Sequence, residues 1–485
     1  MKSARFANLI LIGSTSLFGV IVFHTAWNYA IYPQKMDAFL YYYAFPVICI
    51  MILIASLKLP ESYKVNLSIV IISTLVNVYA VDAFLFLYTT RYKNKAGADS
   101  LSWQQKRIIA AKKNGIVIDT RTRLEVVKQL RSEGINAYPT IPPSDYIFKV
   151  RSRAAIDDEI IVPFGGLSNK LTVGSNESGK FCIYESDENG FNNPKGIWST
   201  GALDVAVVGD SFPHGSTVSQ GKDVSSFIRS YYKNTLNLGA IGNGPLVELA
   251  TIKEYLKPFK PKVVLWLYYE GNDLIDLDRE KKDVLLIKYL ESNFRQNLVL
   301  RQSEVDSALM KYVEEAMDEQ ETMHAEENKI KNIESLSDDV SVFTFLKLRT
   351  LRQKLGLYYE HDDIDVDMKL FCRIMISARD YVASWSGRLY FVYLPEWQIY
   401  SNSRLANKSR SKVMSLINHL DIPIIDIHEV FLGSKDPLSF FPFRLPGHYN
   451  EDGYRLMGEA ILKVIENNAD LQSIPYKNVP GRKTP

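Results

Sequence analysis

Apolar residues are concentrated in three long runs near the N-terminus, at positions 9–27, 38–57 and 65–88. Each run is close to the roughly 20 residues that a helix needs to cross the hydrocarbon layer of a bilayer. Residues 25–27 lack the small-residue pattern of a signal-peptide cleavage site, so the first run is expected to stay attached. The pattern therefore predicts a membrane region, residues 1–95, with three transmembrane helices in the lipid bilayer.

Positive charges do not decide which side of the membrane each end faces. With the N-terminus inside, four basic side chains fall on each side of the membrane. The weight usually given to the first helix favours a cytoplasmic N-terminus, and an odd number of spans then places the rest of the chain outside the cytoplasm. The prediction is a multi-pass protein whose large domain lies on the extracytoplasmic, periplasmic side.

Beyond the membrane region, short apolar runs typical of buried strands alternate with helical patterns. These runs precede Gly209 and Asn237 and occupy residues 263–269, 388–395 and 424–427. Strands that alternate with helices are typical of a parallel sheet covered on both faces. The pattern predicts an α/β protein in which residues 200–470 form a three-layer α/β/α domain.

Three further regions are predicted around this domain. Residues 96–199 combine strand and helix patterns with glycine-, asparagine- and serine-rich stretches, which indicates a mixed α/β, partly β-rich accessory region. Residues 278–356 show helical spacing and a strongly acidic stretch, and are predicted to be a helical insertion. For this insertion a solvated face, a lid and a docking site for an envelope protein partner remain alternatives. Residues 471–485 form a C-terminal tail.

Composition narrows the classes of function. The chain has 485 residues, of which 46% are hydrophobic and 23% charged, and its formal net charge is +2. This near balance offers no basic face, so no nucleic-acid partner is predicted. Neither a zinc-type spacing of ligands nor a glycine-rich phosphate loop occurs, so no metal and no cofactor are expected. The cysteines do not discriminate, because Cys182 and Cys372 can pair or stay free.

The most informative motif is Gly209-Asp210-Ser211, which ends a strand-like run and begins a helical pattern. In open parallel sheets ligands bind at the carboxyl ends of the strands, and N–H groups of the following helix can face a developing oxyanion. Ser211 is therefore a candidate nucleophile. Alternatively, Asp210 and Ser211 only cap the helix, since both residue types accept hydrogen bonds from its first N–H groups.

Downstream motifs favour the catalytic interpretation. Gly242 lies in a glycine-rich segment after the next predicted strand, and Asn272 follows the strand after that. Their backbone N–H and side-chain amide are suitable donors to an oxyanion. His448 is the predicted general base, because a serine hydroxyl is a weak nucleophile until a base takes its proton. His214 and His428 are predicted to be structural.

Serine, glycine, asparagine and histidine in this order, each near a predicted strand end, resemble the SGNH hydrolases, also called GDSL-type esterases. The resemblance covers roughly residues 200–465 and implies an SGNH-like, flavodoxin-like domain. It implies that Ser211 attacks an ester carbonyl and that His448 transfers the proton. It further implies an oxyanion hole made by the N–H of Ser211 together with Gly242 and Asn272.

Two positions depart from the family pattern. Glu270 stands where the third motif usually begins with glycine, although Gly271 can serve the same turn. Leu445 stands three residues before the histidine, where the family has the aspartate that orients its ring. A backbone carbonyl near Leu445 or the carboxylate of Asp426 are the two candidates to orient His448 instead. Loss of the acid alone leaves more catalysis than loss of the nucleophile or the base.

The sequence thus predicts a membrane-anchored, extracytoplasmic serine esterase or O-acyltransferase that passes an acyl group, with acetyl preferred, to water or to a sugar hydroxyl. Acetylated surface polysaccharide as the ester-bearing substrate follows from the family's roles, and no sugar-binding motif in the chain supports it. The alternative is a catalytically inactive component of a cell-envelope polysaccharide system that binds carbohydrate or assembles with other proteins. Leu445 and the acidic insertion motivate that alternative, because a fold by itself does not grant an activity.

Overall fold

The computed structural model describes residues 2–31, 45–95, 103–151, 161–330, 351, 367–401 and 408–466. The chain divides into two compact units. The smaller unit comprises Met1–Ser100 and Leu336–Glu360, and the larger comprises Leu101–Ser335 and His361–Pro485. The residues that the sequence singles out for chemistry all lie in the larger unit.

The described part of the smaller unit is mainly helical. Its helices are α1 (Lys2–Ile31), α2 (Phe45–Ser56) and α3 (Glu61–Lys95). The hydroxyl of Ser68 on α3 donates a hydrogen bond to the carbonyl of Ala7 on α1, at 3.2 Å. Asp82 is buried and accepts a hydrogen bond from the backbone N–H of Leu351 at 2.7 Å. This carboxylate on an apolar helix therefore has a partner within its own unit.

The prediction of three transmembrane helices needs correction. Among the described residues one helix, Glu61–Leu85, is long and apolar enough to cross a membrane, with a mean hydropathy of 1.9. The apolar stretch of α2, Pro46–Ser56, is too short, because at about 1.5 Å per residue it covers roughly half of the hydrocarbon layer. Residues 38–44 of the second predicted span lie outside the described residues, as do the side chains of the later part of the first. One apolar helix is compatible with a single anchor or a signal sequence, and a multi-pass arrangement is not supported.

A small mixed sheet occupies the N-terminal part of the larger unit. Strands β1 (Ala137–Pro139) and β2 (Leu171–Val173) are parallel, and β3 (Ile183–Glu185) pairs antiparallel with β2. The neighbouring helices are α4 (Trp103–Lys113), α5 (Arg123–Ser132) and α6 (Pro143–Tyr146). Thr122 begins α5, because its side chain accepts a hydrogen bond from the Glu125 N–H while the Glu125 carboxylate accepts one from the Thr122 N–H.

Five parallel strands form the main sheet of this unit, in the order β5-β4-β6-β7-β8. They are β4 (Val205–Gly209), β5 (Thr235–Asn237), β6 (Val263–Tyr269), β7 (Arg388–Leu394) and β8 (Ile424–Asp426). This is the doubly wound strand order of flavodoxin-like proteins, in which ligands bind where the order reverses, beside the carboxyl ends of the first and third strands. The predicted α/β class with a parallel sheet is confirmed. The reversal here lies between β4 and β6, the strands that precede Ser211 and Asn272.

Both faces of the main sheet are covered by apolar side chains. Along β4, Ala206 and Val208 belong to one buried cluster, and Val205 and Val207 belong to another, because successive side chains of a strand point to opposite faces. The helices described in the rest of this unit are α7 (Ser211–His214), α8 (Val224–Arg229), α9 (Pro245–Tyr255), α10 (Asp273–Glu280), α11 (Val284–Lys288), α12 (Gln302–Ile330), α13 (Met368–Ala383), α14 (Trp397–Ser401), α15 (Lys408–His419), α16 (Ile427–Leu432) and α17 (Glu451–Glu466). Helices α9 and α13 contribute to the first cluster, and α8 and α17 to the second.

The first half of the predicted helical insertion is part of the core. On α12, Val305, Leu309, Val313 and Met317 are buried at helical spacing and belong to the larger apolar cluster. In the part of its acidic run whose side chains are described, Glu314, Glu315 and Asp318 are exposed, and Glu314 pairs with Arg131. Residues 331–350 and 352–356 of the insertion lie outside the described residues. The lid and the docking site therefore remain predictions.

Candidate active site

Ser211 lies at the sharp turn between β4 and α7. Gly209 makes this turn with φ +155°, and a Cβ there would lie 2.8 Å from the Pro213 side chain and 2.9 Å from the Leu267 carbonyl. Asp210 then begins α7, since its carboxylate accepts a hydrogen bond from the Phe212 N–H at 2.9 Å. The predicted capping role is therefore real but belongs to Asp210. The Ser211 hydroxyl stays available for another partner.

That partner is His448. The Ser211 Oγ and the His448 Nε2 are 2.6 Å apart, although the two residues are separated by 237 positions in the chain. The imidazole lies beside the Phe212 ring, with centroids 4.7 Å apart, which limits how far it can rotate. The structure thus places the candidate nucleophile and the candidate base in direct hydrogen-bond contact.

Glu177 completes the contacts of the imidazole. Its Oε1 lies 2.8 Å from the His448 Nδ1, and its Oε2 accepts a hydrogen bond from the His448 backbone N–H at 3.0 Å. The glutamate side chain is 8% exposed and the histidine side chain 22% exposed. Because a carboxylate only accepts hydrogen bonds, Nδ1 carries the proton, and Nε2 is left to accept the proton of the Ser211 hydroxyl.

The Glu177 carboxylate and the His448 imidazole each stabilise the charged form of the other. Burial disfavours the imidazolium, but the adjacent Glu177 carboxylate and its hydrogen bond outweigh burial and raise the pKa of His448 above its ordinary value. Burial likewise favours the neutral acid of Glu177, but its contacts with His448 and Arg107 hold the pKa of that carboxyl below its ordinary value. Glu177 is therefore ionised at neutral pH and stabilises a proton on the imidazole.

Neither of the two orienting groups considered from the sequence fills this position. Asp426 instead begins α16 by accepting a hydrogen bond from the His428 N–H at 3.0 Å, and it pairs with the Arg410 guanidinium. The Leu445 N–H donates to the Pro442 carbonyl, and the preceding Arg444 carbonyl accepts from the Trp397 indole. The choice of Asp426 or of a carbonyl near Leu445 is corrected to Glu177.

Sequence reasoning missed Glu177 because it precedes His448 by 271 positions and lies in the accessory region. It follows β2 in the segment Gly174-Ser175-Asn176-Glu177-Ser178-Gly179. The available signal was local: an acidic residue between two glycines, directly after an apolar strand-like run, in a chain that lacks the expected aspartate. Such a position is typical of a loop that presents a side chain to another part of the fold.

Asn272 lies on the other side of Ser211. Its Nδ2 donates to Oδ2 of Asp210 at 3.3 Å and to Oδ2 of Asp276 at 3.0 Å. The Ser211 Oγ is 3.2 Å from the same Asp210 oxygen. Burial and the charge of Asp210 raise the pKa of Asp276 to about 7. The amide predicted to bind an oxyanion is thus held beside the nucleophile by two carboxylates.

Gly242 lies at a turn after β5 with φ +75°, and a Cβ at this position would meet the Ser144 hydroxyl at 2.5 Å. The loop that carries it is held against the end of β4, because the Ala240 N–H donates to the Gly209 carbonyl at 3.2 Å. The described contacts do not join Gly242 to Ser211. Its oxyanion role therefore remains a prediction.

The two other histidines singled out in the sequence, His214 and His428, have partners away from the nucleophile. His214 is buried, its Nε2 is 2.9 Å from the Tyr184 hydroxyl, and burial lowers its pKa to about 3, so its ring is neutral. The His428 Nδ1 is 3.0 Å from the Tyr400 hydroxyl. Among the residues that the structure describes, no group of three or more histidine, cysteine, aspartate or glutamate side chains could hold a metal ion. Cys182 and Cys372 are free thiols.

Comparisons with known proteins add little to this geometry. No protein-family model matches the chain, and no curated protein matches it. Two solved structures of a two-domain esterase (CEX) active on acetylated mannans, one co-crystallised with mannopentaose, are distantly similar. The mannopentaose complex has 12% identity and a TM-score of 0.28, and the match covers 59% of this chain and 54% of that chain. The other has 14% identity, a TM-score of 0.27 and coverages of 59% and 55%. The chain spans about half the length of these esterases, and TM-scores this low transfer neither substrate nor activity.

Proposed function

We propose that this protein is a serine ester hydrolase or O-acyltransferase of SGNH type in which Ser211, His448 and Glu177 act as nucleophile, base and orienting acid. The observation that carries the proposal is the contact of 2.6 Å between the Ser211 Oγ and the His448 Nε2. The contact of 2.8 Å between the His448 Nδ1 and Glu177 supports it, because it selects the tautomer in which Nε2 accepts a proton.

The reaction follows from these contacts. The Ser211 Oγ attacks the acyl carbonyl carbon while its proton passes to the His448 Nε2, and the negative charge moves to the carbonyl oxygen. The Asn272 amide and the N–H groups of Ser211 and Gly242 are the proposed donors to this oxyanion. The intermediate collapses when the C–O bond of the leaving alcohol breaks and the alcohol takes the proton from Nε2. Water or an acceptor hydroxyl then attacks the acyl-serine and loses its proton to Nε2. The bond between the acyl carbon and the Ser211 Oγ breaks, and Nε2 returns the proton to Oγ, which releases the free acid or the new ester.

The proposed substrate is an acetyl ester of a cell-surface carbohydrate, and the proposed location is the extracytoplasmic face of a membrane. The apolar helix Glu61–Leu85, which is compatible with an anchor, supports membrane attachment. The resemblance in the order of serine, glycine, asparagine and histidine supports an ester substrate. Hydrolysis and transfer share one acyl-enzyme, so acetate release from acetylated glycans, measured with and without an added sugar acceptor, separates them.

The main argument for the alternative, a catalytically inactive component that binds carbohydrate or assembles with other proteins, is weakened in this proposal. It rested on Leu445 at the place of the orienting aspartate, and the contact between Glu177 and the His448 Nδ1 supports Glu177 in that role. No contact among the described residues favours a purely binding role for the site.

Labelling by a serine-directed fluorophosphonate tests the proposal directly. We expect the wild-type protein to be labelled, because the hydroxyl activated by His448 attacks the phosphorus as it would attack an ester. Ser211→Ala should abolish the label, and Ser226→Ala is a matched control, since Ser226 makes its own hydrogen bond to Asp223 at 2.6 Å. Folded wild-type protein without a label, or equal labelling of Ser211→Ala, would contradict the proposal.

The pH profile is a second test. His448 acts as a base only when neutral, and its pKa is raised by Glu177 above the ordinary value of about 6.5. We therefore expect kcat/KM for p-nitrophenyl acetate to fall with acid along a limb whose midpoint lies above that value. Glu177 stays ionised across this range, because its pKa is lowered. A midpoint clearly below the ordinary histidine value would argue against the Glu177 contact in solution.

A further inference from the structure

Arg107 is a buried cation behind the active site that the proposed chemistry does not use. It lies on α4, and its side chain is 1% exposed. One guanidinium nitrogen, Nη1, donates to the Glu177 carbonyl at 2.8 Å. The other, Nη2, donates to Glu177 Oε2 at 3.3 Å and to the Pro446 carbonyl at 2.6 Å. A single side chain thus holds the segment of the acid and the segment of the base.

We infer that Arg107 is a positioning residue that fixes Glu177 and the Pro446–His448 segment relative to each other, so that the imidazole faces Ser211 in the productive orientation. This inference rests on the proposed function. A planar guanidinium with several donors can bridge three acceptors at once, which a lysine ammonium on a flexible stem does less well. The two segments it joins are separated by 271 positions between Glu177 and His448.

The contact between Arg107 and Glu177 occupies the space in which a side chain at position 447 would lie. Gly447 has φ +144°, and a Cβ there would lie 2.4 Å from Glu177 Oε2 and 2.5 Å from Arg107 Nη2. Any other residue at this position would push the carboxylate and the guanidinium apart. On the other side, the Arg107 guanidinium carbon lies 4.0 Å from the centre of the Trp103 ring. The arginine is therefore held from both sides, as a positioning role requires.

Arg107 also affects the charge balance of the site. The charged groups that act on His448 are Glu177 and Asp210, which favour the imidazolium, and Arg107, which disfavours it. Removing the arginine charge while Glu177 stays in place raises the pKa of His448. Releasing Glu177 from the ring lowers it, because the carboxylate is the main group that stabilises the imidazolium.

Arg107→Met and Arg107→Lys separate these effects. For Arg107→Met we expect kcat to fall about 100-fold, as for a small misplacement of a catalytic group, with little change in KM. The acid limb of kcat/KM should also move to lower pH, because release of Glu177 from the ring lowers the pKa of His448. Arg107→Lys keeps the charge without the three-way bridge, so kcat should fall less and the limb should stay near its wild-type position. Arg229→Met is a matched control, because Arg229 also donates to a carbonyl, that of Thr235, while the contacts described for it do not include His448 or Glu177.

Fluorophosphonate titration of each variant gives the concentration of competent sites, so that rates refer to folded protein only. If Arg107→Met does not fold, Arg107→Lys alone decides, and a wild-type kcat in that variant overturns the inference. An unchanged kcat in folded Arg107→Met overturns it, and so does a lower kcat with an unmoved acid limb. A lower kcat with the limb moved to lower pH supports it, because Glu177 is then released from the ring. A limb moved to higher pH shows that Glu177 stayed in place without Arg107, and it overturns the inference. If the wild-type protein is neither labelled nor active, the proposed function fails instead.

Discussion

His448→Ala is expected to lower kcat for an acetyl ester by about a million-fold, the scale seen when a serine hydrolase loses its base. The reason is the contact of 2.6 Å between Nε2 and the Ser211 Oγ. Without the imidazole, the hydroxyl must lose its proton to water, and the leaving alcohol has no acid to protonate it. The measurement is steady-state turnover of p-nitrophenyl acetate, with circular dichroism and thermal unfolding to show that the fold is kept.

His428→Ala is the matched control for this prediction. It removes another partly buried imidazole that contacts a tyrosine hydroxyl, Tyr400, and not the nucleophile. We expect a small change in stability and turnover within a few-fold of the wild type. Turnover of His448→Ala close to that of His428→Ala would remove His448 from the mechanism.

Glu177→Gln is expected to lower kcat by about ten-thousand-fold, comparable to the loss when the orienting acid of a serine protease becomes an amide. Glutamine keeps the shape of the side chain, but its NH₂ group can donate to Nδ1 and so favour the tautomer with the proton on Nε2. In that tautomer the imidazole cannot accept the Ser211 proton. Because Glu177 is what raises the pKa of His448, the acid limb of the residual activity should move to lower pH.

Asp426→Asn is the control that separates Glu177 from the acid suggested by the sequence. Asp426 caps α16 and pairs with Arg410, so its replacement should cost about 1 kcal/mol of stability at most and leave the acid limb unchanged. A loss of turnover in Asp426→Asn as severe as in Glu177→Gln, with Glu177→Gln nearly normal, would return the orienting role to Asp426.

The two strands that precede Ser211 and Asn272 could be predicted from local sequence. The runs before Gly209 and over 263–269 are apolar throughout, and they form β4 and β6, which are buried on both faces. Parallel strands align their carboxyl ends at one edge of the sheet, so residues that follow adjacent strands lie close together. Ser211 and Asn272 are neighbours for this reason, and both lie at the reversal of the strand order.

The N-terminal region shows where the local pattern predicts more than the structure supports. Hydrophobicity over 38–57 suggests a full span, but the helix that is described there, α2, contains 12 residues. Tyr41, Tyr42 and Tyr43, which lengthen the run, lie outside the described residues.

By itself the sequence determined the class of fold, the strands of the main sheet and the identity of the nucleophile and base candidates, because each depends on a short stretch of chain. Only the tertiary structure decided which carboxylate meets the imidazole. Glu177, from a loop after β2, reaches His448 through the packing of the small mixed region, with Arg107 joining the two segments. Such a contact between distant segments leaves no periodicity or spacing in a single sequence, since nothing local requires the acid to come from that loop.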